Sequence, residues 1–182
     1  DKVVQANERM SQLIRDLLEL SRVGRIDMDK RPIDLNALLA HFLESQNDRL
    51  KAEQFLLLID PGLPSVYANE SRMLQVFENI LSNALKYAHN EEGGMLHISA
   101  VEEEDRVYIY CKDNGPGIPP DYHQKIFGLF YRLDPTTEGS GVGLSVVKKI
   151  MKFHGGDIRV EPHSGREGDG TTFRLTFPCR EL

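Results

Sequence analysis

The chain has 182 residues, 40% of them apolar and 27% charged, with a net charge of −6. That balance belongs to an ordinary globular protein able to bury a core without disulfide staples. It argues against nucleic acid as a partner, and no run approaches the roughly 20 apolar residues of a membrane span.

The two cysteines, Cys111 and Cys179, sit in apolar runs. They read as buried strand residues of a reducing compartment rather than as a disulfide. The opening residues do not form a secretion signal. The first residue is Asp rather than Met, and the chain opens inside a helical pattern, as expected of a piece of a longer protein.

Residues 3–23 are predicted to form an amphipathic helix. Val3, Met10 and Leu17 stand seven apart, Ala6, Leu13 and Leu20 form a second column, and Ile14 and Leu18 a third. Three columns suit a four-helix bundle, so a dimerisation helix is expected here rather than an internal core helix. Gly24 and the polar stretch behind it divide the chain into a helix at 1–24, a linker at 25–33 and a domain at 34–182.

Within that domain the elements alternate. Asp34 is placed to cap a helix over 35–51, and Asn69 one running to about residue 88. Residues 54–60 read as a strand closed by Pro61-Gly62. Residues 95–101 and 106–112 read as two strands joined by an acidic turn, 102–105. The stretch 114–140 is long for a loop and rich in Gly, Pro and Asp, the mark of a functional lid. A helix over 142–154 ends at Gly155-Gly156, and strands follow at 157–161 and 171–177. The sum is an α+β, two-layer sandwich: one mixed sheet with helices on one face.

The helix over 72–88 has an unusual polar side. At 100° per residue Arg72, Gln75, Asn79, Ser82, Asn83 and Lys86 share one arc, flanked by Tyr87. Leu74, Phe77, Leu81, Leu85 and Ala88 share the opposite, core-facing arc. Solvated helix faces normally carry Glu and Lys; two Asn four apart are poor helix formers retained for chemistry. Asn offers a neutral oxygen suited to Mg²⁺, and Lys a point charge for phosphate. Asp113-Asn114-Gly115-Pro116-Gly117-Ile118 follows a strand; its carboxylate can accept a hydrogen bond from an exocyclic amine such as that of adenine. Gly139-Ser140-Gly141-Val142-Gly143-Leu144 opens a helix, the arrangement of a phosphate cradle. It lacks the ending of a Walker loop and does not follow a strand, so neither P-loop nor Rossmann fits. Gly168-Asp169-Gly170-Thr171 leads into the last strand.

In this order the four features resemble the GHKL ATP-binding fold (a Bergerat-type fold), and within it the catalytic domain of sensor histidine kinases of two-component systems. Residues 79–87 resemble its N box, and Asp113, Gly115 and Gly117 its first glycine box. Residues 127–132 resemble the F box, although Gly128-Leu129 departs from the usual charged residue and Pro. Gly139, Gly141 and Gly143 resemble the second glycine box, and Gly168-x-Gly170-Thr171 the last. Residues 3–23 resemble the second helix of the dimerisation and phosphotransfer hairpin.

The resemblance implies ATP and Mg²⁺ as cofactors. Asn83, assisted by Asn79, would hold the metal. Asn79, Lys86 and Arg132 would act in catalysis. Tyr87, Asp113, Gly115, Gly117, Ile118, Phe130, Gly139, Gly141, Val142, Gly143, Leu144 and Thr171 would bind the nucleotide. It also implies a homodimer through the helical bundle, a response regulator receiver domain as partner, and a cytoplasmic location with a parent that can be membrane-anchored. ATP-hydrolysing relatives carry a water-activating Glu at the position of Asn79. None of the six histidines is followed by an acidic residue and Pro, the setting of the family's acceptor, so the acceptor helix is expected outside these residues. The chain alone is therefore not expected to autophosphorylate. The alternative readings are a catalytically silent nucleotide-binding module and a GHKL ATPase.

Overall fold

The computed structural model describes residues 29–88, 93–134, 139–162 and 170–179, together with eight positions between 4 and 21. Those eight are all helical (α1). Val4, Met10, Ile14 and Leu18 are exposed on it. Val3, Ala6, Leu13, Leu17 and Leu20, the other members of the expected stripe, lie outside the described residues.

The elements that follow are β1 (Arg31–Asp34), α2 (Leu35–Ala52), β2 (Phe55–Ile59), β3 (Ser65–Ala68) and α3 (Glu70–Tyr87). Then come β4 (Gly94–Glu103), β5 (Arg106–Asp113), two 3₁₀ turns (Pro120–Tyr122 and Lys125–Phe127), α4 (Gly143–Phe153), β6 (Asp157–Val160) and β7 (Thr172–Pro178). Five strands form one sheet in the order β2-β4-β5-β7-β6. Only the β2–β4 pair is parallel. Alternation along the strands buries Leu96, Ile98, Val107, Ile109, Cys111, Phe173, Leu175 and Phe177. Their neighbours Met95, His97, Tyr108 and Tyr110 stay half-exposed on the other face. Helices α2, α3 and α4 cover the buried face with Leu39, Phe42, Phe77, Leu81, Val147 and Ile150. The fold is the expected two-layer sandwich.

The caps fall where the sequence placed them. Asp34 Oδ1 accepts from the Asn36 N–H at 2.8 Å, and Asn69 Oδ1 from the Arg72 N–H at 3.1 Å. The expected linker 25–33 overlaps a strand, because Arg31–Asp34 pairs antiparallel with Ser65–Ala68. Pro32 lacks an N–H, but in a two-stranded ribbon both strands are edges and tolerate Pro. Leu74, expected in the core, is half-buried; Met73, Val76 and Ile80 take that place. Among the described residues no helix is long and apolar enough to cross a membrane.

Candidate functional site

A cleft of about 680 Å³ opens between α3, the end of β5, the stretch 116–134 and the start of α4. Every residue expected at the site lines it except Gly115 and Phe130. Both exceptions have a physical cause. Gly115 lies behind the wall: its N–H donates to Asp113 Oδ1 at 2.9 Å, and a Cβ on it would meet the Tyr87 carbonyl oxygen at 3.0 Å. Phe130 is 47% exposed with φ +61°. Its backbone rather than its ring serves the site, packing so closely on Gly141 that a Cβ there would come within 2.8 Å. Gly141 itself has φ +71°, a conformation glycine adopts freely.

One end of the cleft accepts hydrogen bonds. Asp113 terminates β5 and is only 7% exposed. Its Oδ1 accepts from the backbone N–H groups of Gly115 and Thr171, the latter at 2.8 Å, and the Thr171 side chain adds another bond. Burial pushes its carboxyl above the usual range, and the backbone donors only partly oppose this. Beneath it burial, with the Asp113 charge, drives the Cys111 thiol up to about 12, so that cysteine is an inert core residue. Both cysteines are free, Cys111 buried and Cys179 half-buried just past β7.

The other end donates. Helix α4 begins at Gly143 with no side-chain cap, and its first residues, Gly143 and Leu144, line the cleft. Lys86 Nζ approaches the loop before it, since a Cβ at Gly139 would lie 3.5 Å from that nitrogen. Asn79 Nδ2 donates to the Gln75 carbonyl at 2.8 Å, which turns Oδ1 toward α4; a Cβ at Gly143 would fall 2.6 Å from that oxygen. Asn83 and Ser82 complete this face. Arg72 and Gln75, from the same arc, bond each other at 2.8 Å outside the lining. Arg132 and Asp134 face the cleft from the opposite side.

Several lining residues were not singled out from the sequence: Pro116, Pro119, Ile126, Tyr131, Leu133, Asp134, Ser140, Val146 and Phe173. Ile126, Val146 and Phe173 are apolar and buried, so nothing in their type separates a cleft wall from a core. Tyr131 had a signal, its place beside Arg132 in the F-box-like stretch.

A carboxylate set deep at one end, cationic and backbone donors at the other, and apolar walls between fit a purine triphosphate. Fold and cleft together define an ATP-binding domain of the kind that sensor histidine kinases carry. Residues 68–181 match the family model described as histidine kinase-, DNA gyrase B-, and HSP90-like ATPase, and the chain belongs to that family. It is 32% identical over 176 residues to the methanogenesis regulatory histidine kinase FilI of Methanothrix harundinacea, covering 97% of this chain and 20% of that one. It is 36% identical to the adaptive-response sensory kinase SasA of Thermosynechococcus vestitus, covering 94% of this chain and 46% of that one. Among solved structures, full-length ShkA in complex with AMPPNP superposes with a TM-score of 0.80 at 27% identity, over 98% of this chain and 37% of that one. The catalytic domain of histidine kinase ThkA superposes with a TM-score of 0.69 at 28% identity, over 84% and 97%. The chain thus spans less than half the length of these curated relatives.

Proposed function

We propose that this chain is the catalytic portion of a protein-histidine kinase. It binds ATP and presents the γ-phosphoryl group to a His imidazole on a helix outside these residues, for relay to the Asp of a response regulator receiver domain. One observation carries the reading. The face of α3 toward the triphosphate end carries Asn79, an amide already bonded to the Gln75 carbonyl, where a hydrolase needs a carboxylate. Glu78 next to it is exposed and lies outside the cleft. Among the described residues the lining carboxylates, Asp113 and Asp134, sit at the strand tip and on the 116–134 stretch, not on α3. Water therefore lacks a base beside α3, and the bound nucleotide waits for a better nucleophile.

Placement supports the following roles. Asp113 reads the adenine amine, with Tyr87, Gly117, Ile118, Leu144 and Thr171 forming the wall around the base. The backbone of Gly139, Gly141, Val142 and Gly143 holds phosphate at the α4 N-terminus. Lys86 and Arg132 place positive charge by the transferring group. Among the described residues no cluster of three or more His, Cys, Asp or Glu offers a closed metal cage. The donors present fit Mg²⁺ instead. Asn83, helped by Asn79, gives neutral oxygens, and phosphates and water complete such a shell. When bound, the ion supplies charge neutralisation. The exposed α1 stripe is the dimerisation face, over 1–24, joined by the short linker to the catalytic domain in a cytoplasmic protein.

Nucleotide binding with and without Mg²⁺ tests the assignment. Asp113→Ala is expected to abolish ATP binding, and Asn83→Ala to remove mainly its Mg²⁺-dependent part. Wild-type affinity in both variants would overturn the site. Incubation with γ-labelled ATP should yield no rapid phosphate release; rapid turnover would restore the ATPase reading.

A further inference from the structure

Lys148 lies on α4 outside the cleft, yet its ammonium is held from three sides. It pairs with Asp157 Oδ1 at 2.6 Å and donates to the Ile158 carbonyl at 3.0 Å, both on β6. It also stands 5.0 Å over the ring centroid of Phe127. A surface lysine keeps its strongly hydrated head in water unless something replaces that water. Here the side chain is only 22% exposed, and two oxygens and an aromatic face replace it.

The aromatic partner is the informative one. Asp157 and Ile158 would suffice for a staple between α4 and the sheet edge. Phe127 belongs to neither: it ends the second 3₁₀ turn, at the root of the stretch that closes over the cleft. Its ring meets Phe173 edge-on at 6.4 Å, and Phe173 and the adjacent Ile126 both line the cleft. The chain then continues through Gly128, whose carbonyl accepts from the Tyr131 N–H, to Tyr131 and Arg132 on the opposite wall. So the cation that ties α4 to β6 also ties both to the root of the closing segment.

We propose that Lys148 is a positioning residue for the nucleotide site, acting through Phe127 to set Ile126 and the Tyr131–Arg132 wall against α4. The inference rests on the reading of the cleft as an ATP site. Lys148→Met keeps the apolar stem and removes the charge. It is expected to weaken ATP binding about twofold to thirtyfold, the range from an exposed to a desolvated cation–π contact. It should also speed amide exchange at 125–132 in the nucleotide-free chain. Phe127→Leu should do the same, and the double variant should be no worse than either single one. Lys148→Arg, which keeps the cation and can stack, should restore both measurements. The proposal is overturned if Lys148→Met lowers the melting temperature while ATP affinity and exchange at 125–132 stay as in wild type, with exchange faster only at 157–160. Additive losses in the double variant would overturn it too. Failure of the wild-type chain to bind ATP would instead sink the reading of the cleft, and the exchange comparison would still decide the role of Lys148.

Discussion

At the scale of single residues, Asp113 carries opposing demands. In the role proposed for it a carboxylate accepts from an amine, and the buried place that would make it selective also penalises its charge. Because burial raises its pKa in the folded state, the folded protein holds more protons than the unfolded chain just above the ordinary value of 3.8. The cost of ionisation is thus absent at low pH and grows as pH rises above the ordinary value, until the buried carboxyl has ionised. Asp113→Asn removes that cost and keeps an oxygen for the N–H groups of Gly115 and Thr171. At pH 7 this variant should melt no lower than wild type, and any advantage should shrink toward pH 4. Its NH₂ would face the adenine amine, donor against donor, so ATP affinity should fall about tenfold to a hundredfold, the worth of a charged hydrogen bond. Calorimetry of melting and binding on one sample checks both halves. At this scale the sequence was most legible where polar residues break a rule. Asn79, Asn83 and Asp113 stood out because helices and buried strands do not favour them. Ile126 and Phe173 did not, since an apolar wall looks like a core. Gly115 and Phe130 were placed in the lining by motif, yet Gly115 lies behind it and Phe130 meets it only through its backbone against Gly141.

At the scale of elements, α3 and α4 meet at a histidine. The Asn69 N–H donates to His154 Nε2 at 3.0 Å, so Nδ1 carries the proton and donates to the Ile150 carbonyl at 2.8 Å. His154 is 2% exposed and packs against the rings of Phe153 and Phe177. Burial holds its pKa below the ordinary 6.5, and the charges of Lys30 and Arg72 push the same way. The folded state therefore binds fewer protons than the unfolded one. Its contribution is full above 6.5 and declines as pH falls below that value. Protonation would also set a donor against the Asn69 N–H at the cap of α3. The melting temperature should drop between pH 7.5 and 5.5, and His154→Gln should flatten that drop; an unchanged slope would remove His154 as its source. The helices were legible from periodicity and caps, and the five-strand sheet from alternation. Strands β1 and β3 were not, being four residues each, too short to show a period, with a Pro inside one of them.

At the scale of the whole molecule, the described part of α1 shows Met10, Ile14 and Leu18 in steps of four on one exposed face. A face of that kind on a long helix finds cover in another helix. Ile14→Glu with Leu18→Glu should shift the chain from dimer to monomer in light scattering while leaving ATP affinity unchanged. A wild-type chain that runs as a monomer at high concentration would remove the dimer from the proposal. The separation is physical, since the cleft draws its wall from α3, the start of α4 and the loop before it, the ends of β5 and β7 and the 116–134 stretch, and takes nothing from the described residues of α1.

The bond from Asn79 to the Gln75 carbonyl has an evolutionary consequence. Exchange to Glu would set acceptor against acceptor at that carbonyl and send a longer side chain toward the backbone of Gly143, which already lies close to the Asn79 Oδ1. A missense change at 79 would therefore arrive misaimed, and a second adjustment at 75 or 143 would be needed before the carboxylate could serve water. For this cleft, gaining a water-activating carboxylate is then a two-step path whose first step carries a penalty.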